Sequence, residues 1–250
     1  MRIALLTQDD GIFSYHFIKP FLEAISGNEG YSLTSVNLSR STAVGKKESK
    51  KEKLIRVKNT FGWSFVLSTV WRFGINKVFR RSVVKAASQY NIPTFEIVKG
   101  VNTASFRERL QSEQVDVVVI VAGTEIIKKQ TLETPPLGFI NCHSSLLPSD
   151  KGLMPVFWSL LSERTGFTWY KLNEGIDTGS VLLQQKVERQ SSFINQLIWT
   201  KKQAASRLTE AIEINAGNGK SVGLEGYPDS YNKFPTKTHI QALKKKIRLV

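Results

Sequence analysis

The chain has one cysteine among its 250 residues, no hydrophobic run near the length of a bilayer span, and few acids for its many bases. Each shortage excludes something. A lone cysteine, Cys142, forbids an intrachain disulfide and a Cys-based zinc cluster. It also fits a reducing compartment. The N-terminus, MRIALLTQDD, carries a short apolar run that ends in acid, which is no secretory signal. The most apolar later stretch, Phe61 to Trp71, is bounded by Lys58 and Arg72. It falls far short of the roughly 20 residues that a membrane span needs. A soluble, cytoplasmic protein is expected, and no metal ion. Hydrophobic residues at 41% and charged residues at 22% exclude wholesale disorder and leave an ordinary globular chain.

The shortage of acids is regional. Of 35 Lys and Arg, 13 lie between Arg40 and Lys85, against two acids, Glu48 and Glu52. Outside that window 22 bases face 19 acids, so the net charge of +14 is not a property of the whole fold. Residues 43–58 are dense in Lys, as in an exposed loop or the start of a helix. Residues 60–85 interleave Phe61, Trp63, Phe65, Trp71, Phe73 and Phe79 with Arg72, Lys77, Arg80, Arg81 and Lys85. Two readings stand. A helix pair packs these aromatics on the core with its Lys solvated, or an amphipathic excursion meets an anionic membrane surface. Nucleic acid is not expected as a partner, because the basicity is confined to this excursion.

The rest of the chain alternates strands with helices. Strands are expected at Arg2 to Thr7, Tyr31 to Val36, Pro93 to Val98, Val115 to Val121, Gly138 to Cys142, Gly166 to Leu172 and Ser180 to Val187. Helices are expected at Phe13 to Ile25, Val83 to Tyr90, Phe106 to Gln111 and Pro155 to Leu161, with a turn and short helix over Ala122 to Gln130. One long helix is expected from Phe193 to Ala216. The run VDVVVIV is apolar on both faces, as a central parallel strand requires. The pattern predicts an α/β fold with a Rossmann-like, doubly wound, mostly parallel sheet. A catalytic domain over 1–190 would be followed by a short C-terminal extension over 191–250, a helix and a basic tail. Such sheets bind ligands outside the carboxyl ends of their strands. That rule points to Gln8 and Asp9 after the first strand, to Thr124 and Glu125 after 115–121, and to the end of 138–142.

Chemistry concentrates at that last end. Asn141 and His143 stand two apart, so strand alternation turns both to one face and Cys142 to the other. Cys142 is therefore a poor candidate nucleophile. Asp177 lies in the turn Gly175-Ile176-Asp177-Thr178-Gly179. An amide donor, an imidazole and a carboxylate converging on one point suit acyl transfer through a tetrahedral intermediate. Each residue alone has a plain structural reading: a satisfied polar side chain, a turn cap, a strand end.

The segment Asn141-Cys142-His143-Ser144-Ser145-Leu146-Leu147-Pro148 resembles the NxHxSLLP signature of the formyltransferases that use 10-formyltetrahydrofolate. Gly166-Phe167-Thr168 followed by Glu174-Gly175-Ile176-Asp177-Thr178-Gly179 resembles the GVT…DEGIDTG element of the same family. The resemblance implies that Asn141, His143 and Asp177 form the catalytic trio. It implies that Thr124, Glu125, Ile126 and Ile127, with Ser145, Leu146, Leu147 and Pro148, line the pocket of the folate donor. Gln8, Asp9 and Lys151 would then lie on the acceptor side. The sequence departs from the family in reading Ser149-Asp150-Lys151-Gly152 after SLLP, with Asn173 where an acid is common and Tyr170 where many members have His. Those departures are expected to bear on acceptor identity more than on the reaction.

Within the family, members acting on methionyl-tRNA carry a further C-terminal barrel, for which the residues after Val187 are few. Purine-pathway members lack the basic excursion. A nucleotide-linked amino sugar for surface polysaccharide is the expected acceptor, with peripheral contact at the inner membrane face through 43–85 and a homodimer both in view. A methionyl-tRNA or other small-amine formyltransferase, a formyltetrahydrofolate hydrolase and a non-catalytic binding module remain the alternatives.

Overall fold

A computed structural model describes residues 1–39, 50–123 and 125–250. Thr124 and residues 40–49, the N-terminal part of the basic excursion, lie outside the described residues. Five strands run parallel: β1 (Arg2–Thr7), β2 (Ser32–Ser39), β3 (Thr94–Ile97), β4 (Val117–Ile120) and β5 (Phe139–His143). After the two-residue β6 (Lys151–Gly152), β7 (Gly166–Lys171) and β8 (Ser180–Lys186) add antiparallel strands beside β5. Among the described residues the sheet order is β3-β2-β1-β4-β5-β7-β8. This is the doubly wound, mostly parallel α/β sheet that the alternating pattern predicts.

Alternation along the strands builds a core on each face. Ile3, Leu5, Val117 and Val119 face one way, onto α1 (Ser14–Ser26) and α4 (Val83–Ser88). Ala4, Leu6, Val118 and Ile120 face the other, onto α5 (Ala104–Ser112) through Phe106 and Leu110. Strands with both faces covered have no reason to carry polar residues, so they read as continuous apolar runs.

The expected long helix is two helices, α8 (Phe193–Ala205) and α9 (Leu208–Asn215). At the break, Ser206 Oγ donates to the Gln203 carbonyl, a local bond that competes with helix continuation. Arg207 bonds Glu210 and Gln185 instead. The break lets Ala204, Ala205, Leu208, Ala211 and Ile212 all reach the core formed by β1 and β4. Residues beyond 190 thus share a core with the sheet.

A third cluster joins Phe61 and Phe65 to Phe157, Leu160, Phe193, Ile240 and Leu243. It binds together α2 (Lys50–Phe61), α3 (Trp63–Val78), α7 (Pro155–Leu161), α8 and α10 (Lys237–Lys244). Helix α10 was not legible in the tail, where the Lys run Lys244 to Lys246 dominates. Its start is a capping box between Thr236 and His239, and Ile240 and Leu243 are its buried anchors. The aromatics of 60–85 therefore divide. Phe61 and Phe65 are buried, as the core reading expects, whereas Trp63, Trp71, Phe73 and Phe79 are exposed.

Candidate active site

A cleft of about 500 Å³ opens at the carboxyl ends of β4 and β5. Asn141, His143, Tyr170 and Asp177 lie together on its wall. The trio expected from the sequence is thus brought to one place, and a fourth residue joins it. Asn141 Nδ2 donates to the Tyr170 hydroxyl at 3.0 Å, and that hydroxyl donates to Asp177 Oδ1 at 2.8 Å. Asp177 Oδ1 also lies 3.4 Å from His143 Nδ1, and Oδ2 accepts from the Gly152 N–H at 2.8 Å. Tyr170 is therefore a link in the site, bonded to Asn141 and Asp177. Burial, followed by the adjacent Asp177 carboxylate, pushes the Tyr170 phenol far above its usual range, so it works as a neutral hydroxyl.

His143 is held at both ring nitrogens. Nε2 is 2.9 Å from the Asp150 carbonyl, which can only accept, so that nitrogen carries hydrogen. Nδ1 faces Asp177. The doubly protonated ring is the form that donates to both partners. The contact to Asp177 is loose, a common state of catalytic bonds before substrate arrives.

Local backbone chemistry sets these positions. Asp177 has φ 52°, in the left-handed region that Asp and Asn adopt more readily than other side chains. A Cβ at Gly179 would collide with the Lys171 carbonyl, so the turn closes tightly only with glycine there. Cys142 alternates away from the cleft into the core, as expected, and only its backbone faces the site. Burial pushes its thiol up, against the opposing effect of Lys201. Ellman's reagent at neutral pH is expected to leave Cys142 unreacted in the folded protein and to titrate one thiol in denaturant. Rapid reaction without denaturant would show an accessible thiol.

Several expected binding residues do other work. Ser145, Leu146 and Leu147 are buried and do not line the cleft, and Pro148 is exposed outside it. This loop is scaffold. Thr168 Oγ1 donates to the Ser145 carbonyl and accepts from Leu147 N–H, while Gln184 Nε2 donates to the Leu147 carbonyl. The motif needs these residues to fix the Asp150 carbonyl behind His143. Glu125, Ile126 and Ile127 do border the cleft. The Glu125 carboxylate, however, is committed to Ser39 Oγ and the Val101 N–H, which leaves the backbone to face a ligand. Lys151 is paired with Asp229 at 2.7 Å. Gln8 and Asp9 do not line the cleft, and Asp9 accepts from the N–H groups of Gly11 and Val83 at the start of α4.

Lys201 was missed. It is buried in α8, lines the cleft, and donates to the Cys142 carbonyl at 2.8 Å. The signal was a lysine on the apolar stripe of that helix, between Ile194 and Ala204. It anchors the strand end that carries Asn141 and His143.

No helix among the described residues is long and apolar enough to cross a membrane. Residues 77–192 match the family model described as formyl transferase. The methionyl-tRNA formyltransferase of Syntrophus aciditrophicus is 41% identical over 103 residues, 40% of this chain and 33% of that protein. The chain thus spans about a third of the length of the curated relatives it matches. Glycinamide ribonucleotide transformylase 1 of Symbiobacterium toebii has a similar fold, with TM-score 0.58 and 17% identity over 87% of this chain and 88% of that one. A sugar 3N-formyl transferase, solved in the presence of dTDP and 5-N-formyl-THF, covers 100% of this chain and 82% of its own, with TM-score 0.57 and 16% identity. Asn141, His143, Tyr170 and Asp177 all lie within residues 77–192, the stretch that is similar to the formyl transferases.

Proposed function

We propose that the chain transfers the formyl group of 10-formyltetrahydrofolate to a primary amine, the amino group of a nucleotide-linked amino sugar. The network from Asn141 through Tyr170 and Asp177 to His143, on the segment that matches the formyl transferases, carries this reading. In the reaction the amine nitrogen bonds to the formyl carbon, the carbon–nitrogen bond to the folate breaks, and the proton that the amine loses is matched by one taken up by the departing folate nitrogen. Negative charge develops on the formyl oxygen. Asn141 has two N–H donors, one of them given to Tyr170, and His143 supplies a cationic donor. Asp177 keeps the imidazole oriented and accepts the proton or passes it on. Ile126, Leu153 and Phe157 give the cleft apolar walls, which suit a flat heterocycle, with the backbone of 125–127 beside them.

The sugar acceptor is supported by the likeness to a sugar 3N-formyl transferase over the whole chain. Formylation of methionyl-tRNA is the second reading, favoured by the identity to such enzymes and by the net charge of +14. The test mixes purified protein with 10-formyltetrahydrofolate and either a panel of nucleotide-linked amino sugars or methionyl-tRNA. Folate is followed by absorbance and products by mass spectrometry. One formyl group gained by a sugar is the expected result, and a formylated tRNA would replace it with the second reading. Free formate alone would mean a hydrolase, and bound folate without turnover a binding module.

Tyr170→Phe keeps the ring and removes the hydroxyl between Asn141 and Asp177. Loss of hydrogen bonds to a charged partner is worth about 1.5–3 kcal/mol, so kcat is expected to fall by roughly 10- to 100-fold. KM should change little. Unchanged kcat would make the hydroxyl a bystander.

A further inference from the structure

Helix α3 is apolar on its outer face as well as its inner one. Phe65, Val66 and Asn76 turn inward, and Asn76 Nδ2 ties the helix to the carbonyls of Gly11 and Ile12. Trp63, Leu67, Val70, Trp71 and Val78 turn outward and are 60 to 77% exposed. Their spacing of four, three, one and seven residues keeps them on one stripe of a 3.6-residue helix. A contiguous exposed stripe of this kind marks an interaction surface.

Charge chooses the occupant. Residues 50–85 hold ten Lys or Arg and one acid, Glu52. Lys58 lies 5.3 Å from the Trp63 ring centroid, at one end of the stripe, and Arg81 lies 5.2 Å from that of Phe79, beyond the other. A cleft at the start of α3 is lined by Lys58, Lys237 and Lys244. A second copy seated symmetrically on this face would bring two such basic regions together, which like-charge repulsion disfavours. Nucleic acid would place phosphate and base edges against Leu67, Val70 and Val78, which offer no hydrogen bond. An anionic bilayer matches both features: tryptophans and aliphatics enter the headgroup boundary while flanking lysines and arginines meet lipid phosphates.

We propose that the outer face of α3 docks the protein flat on an anionic lipid surface. The inference stands apart from the formyl-transfer reading and uses none of its residues. The test is cosedimentation of the full chain, at low salt, with vesicles of phosphatidylcholine alone or mixed with phosphatidylglycerol at three to one. The expected result is pelleting with the mixed vesicles only. Trp63→Ser combined with Trp71→Ser should weaken it by about tenfold or more, as apolar burial is lost. The thermal melt should hardly change, because both side chains are exposed. Failure to pellet with the mixed vesicles overturns the proposal, and so does a double variant that binds as well as the parent. A dimer seen by sedimentation velocity and abolished by the same double variant would assign the face to a second copy.

Discussion

Asp177→Asn is expected to lower kcat for formyl transfer by about 10²- to 10⁴-fold, the range of a lost acid–base group. The substitution is chosen to leave the backbone in place, because Asn tolerates the left-handed φ of 52° at this position. It keeps the side-chain shape and changes the charge and the hydrogen bonding. Asp177 accepts from Tyr170 Oη and from the Gly152 N–H, and faces His143 Nδ1. An amide has one oxygen and one NH₂ where the carboxylate has two acceptors. One of the three donors must then meet another donor, and His143 no longer faces a negative charge. The measurement is kcat on the acceptor that the formyl-transfer screen identifies, with a thermal melt to show that the variant folds. Activity kept within tenfold of the parent would remove Asp177 from the chemistry.

Trp169→Ala is expected to cost about 3–5 kcal/mol of folding stability, the range for deleting a large buried aromatic. Trp169 is fully buried, meets Phe21 of α1 edge-on at 5.8 Å, and donates through Nε1 to the Ala204 carbonyl of α8 at 3.0 Å. Its loss opens a cavity between β7 and two helices and removes one of the donors to the Ala204 carbonyl, which keeps the Arg207 N–H. It also loosens the strand that carries Thr168 and Tyr170 on its other face. Urea unfolding followed by circular dichroism should show a lower midpoint with the slope little changed. A loss under 1 kcal/mol would mean that the core closes over the gap. Trp169→Phe, which keeps most of the volume, should cost less.

The strands β1, β4, β5, β7 and β8 and the helix α7 were legible because local periodicity and tertiary burial agree there. VDVVVIV can only be a strand covered on both faces, and alternation alone separates Asn141 and His143 from Cys142. The break between α8 and α9 was not legible. A continuous apolar stripe runs through Ser206 and Arg207, and the break there is marked by the Arg207 backbone and by side-chain bonds of those two residues.

By itself the sequence determined the sheet and singled out Asn141, His143 and Asp177 as residues that could meet at one strand end, because strand period and turn glycines act over a few residues. The tertiary structure alone decided the rest. It turned the Ser145 to Leu147 loop into buried scaffold, committed Lys151 to Asp229 and Glu125 to Ser39, and placed Tyr170 between two catalytic candidates. It brought Lys201 under β5 and left Trp63 and Trp71 outside the core. The physical reason is common to all of these. Whether a polar side chain meets a ligand or a neighbour depends on partners that lie tens of residues away, and no local pattern records them.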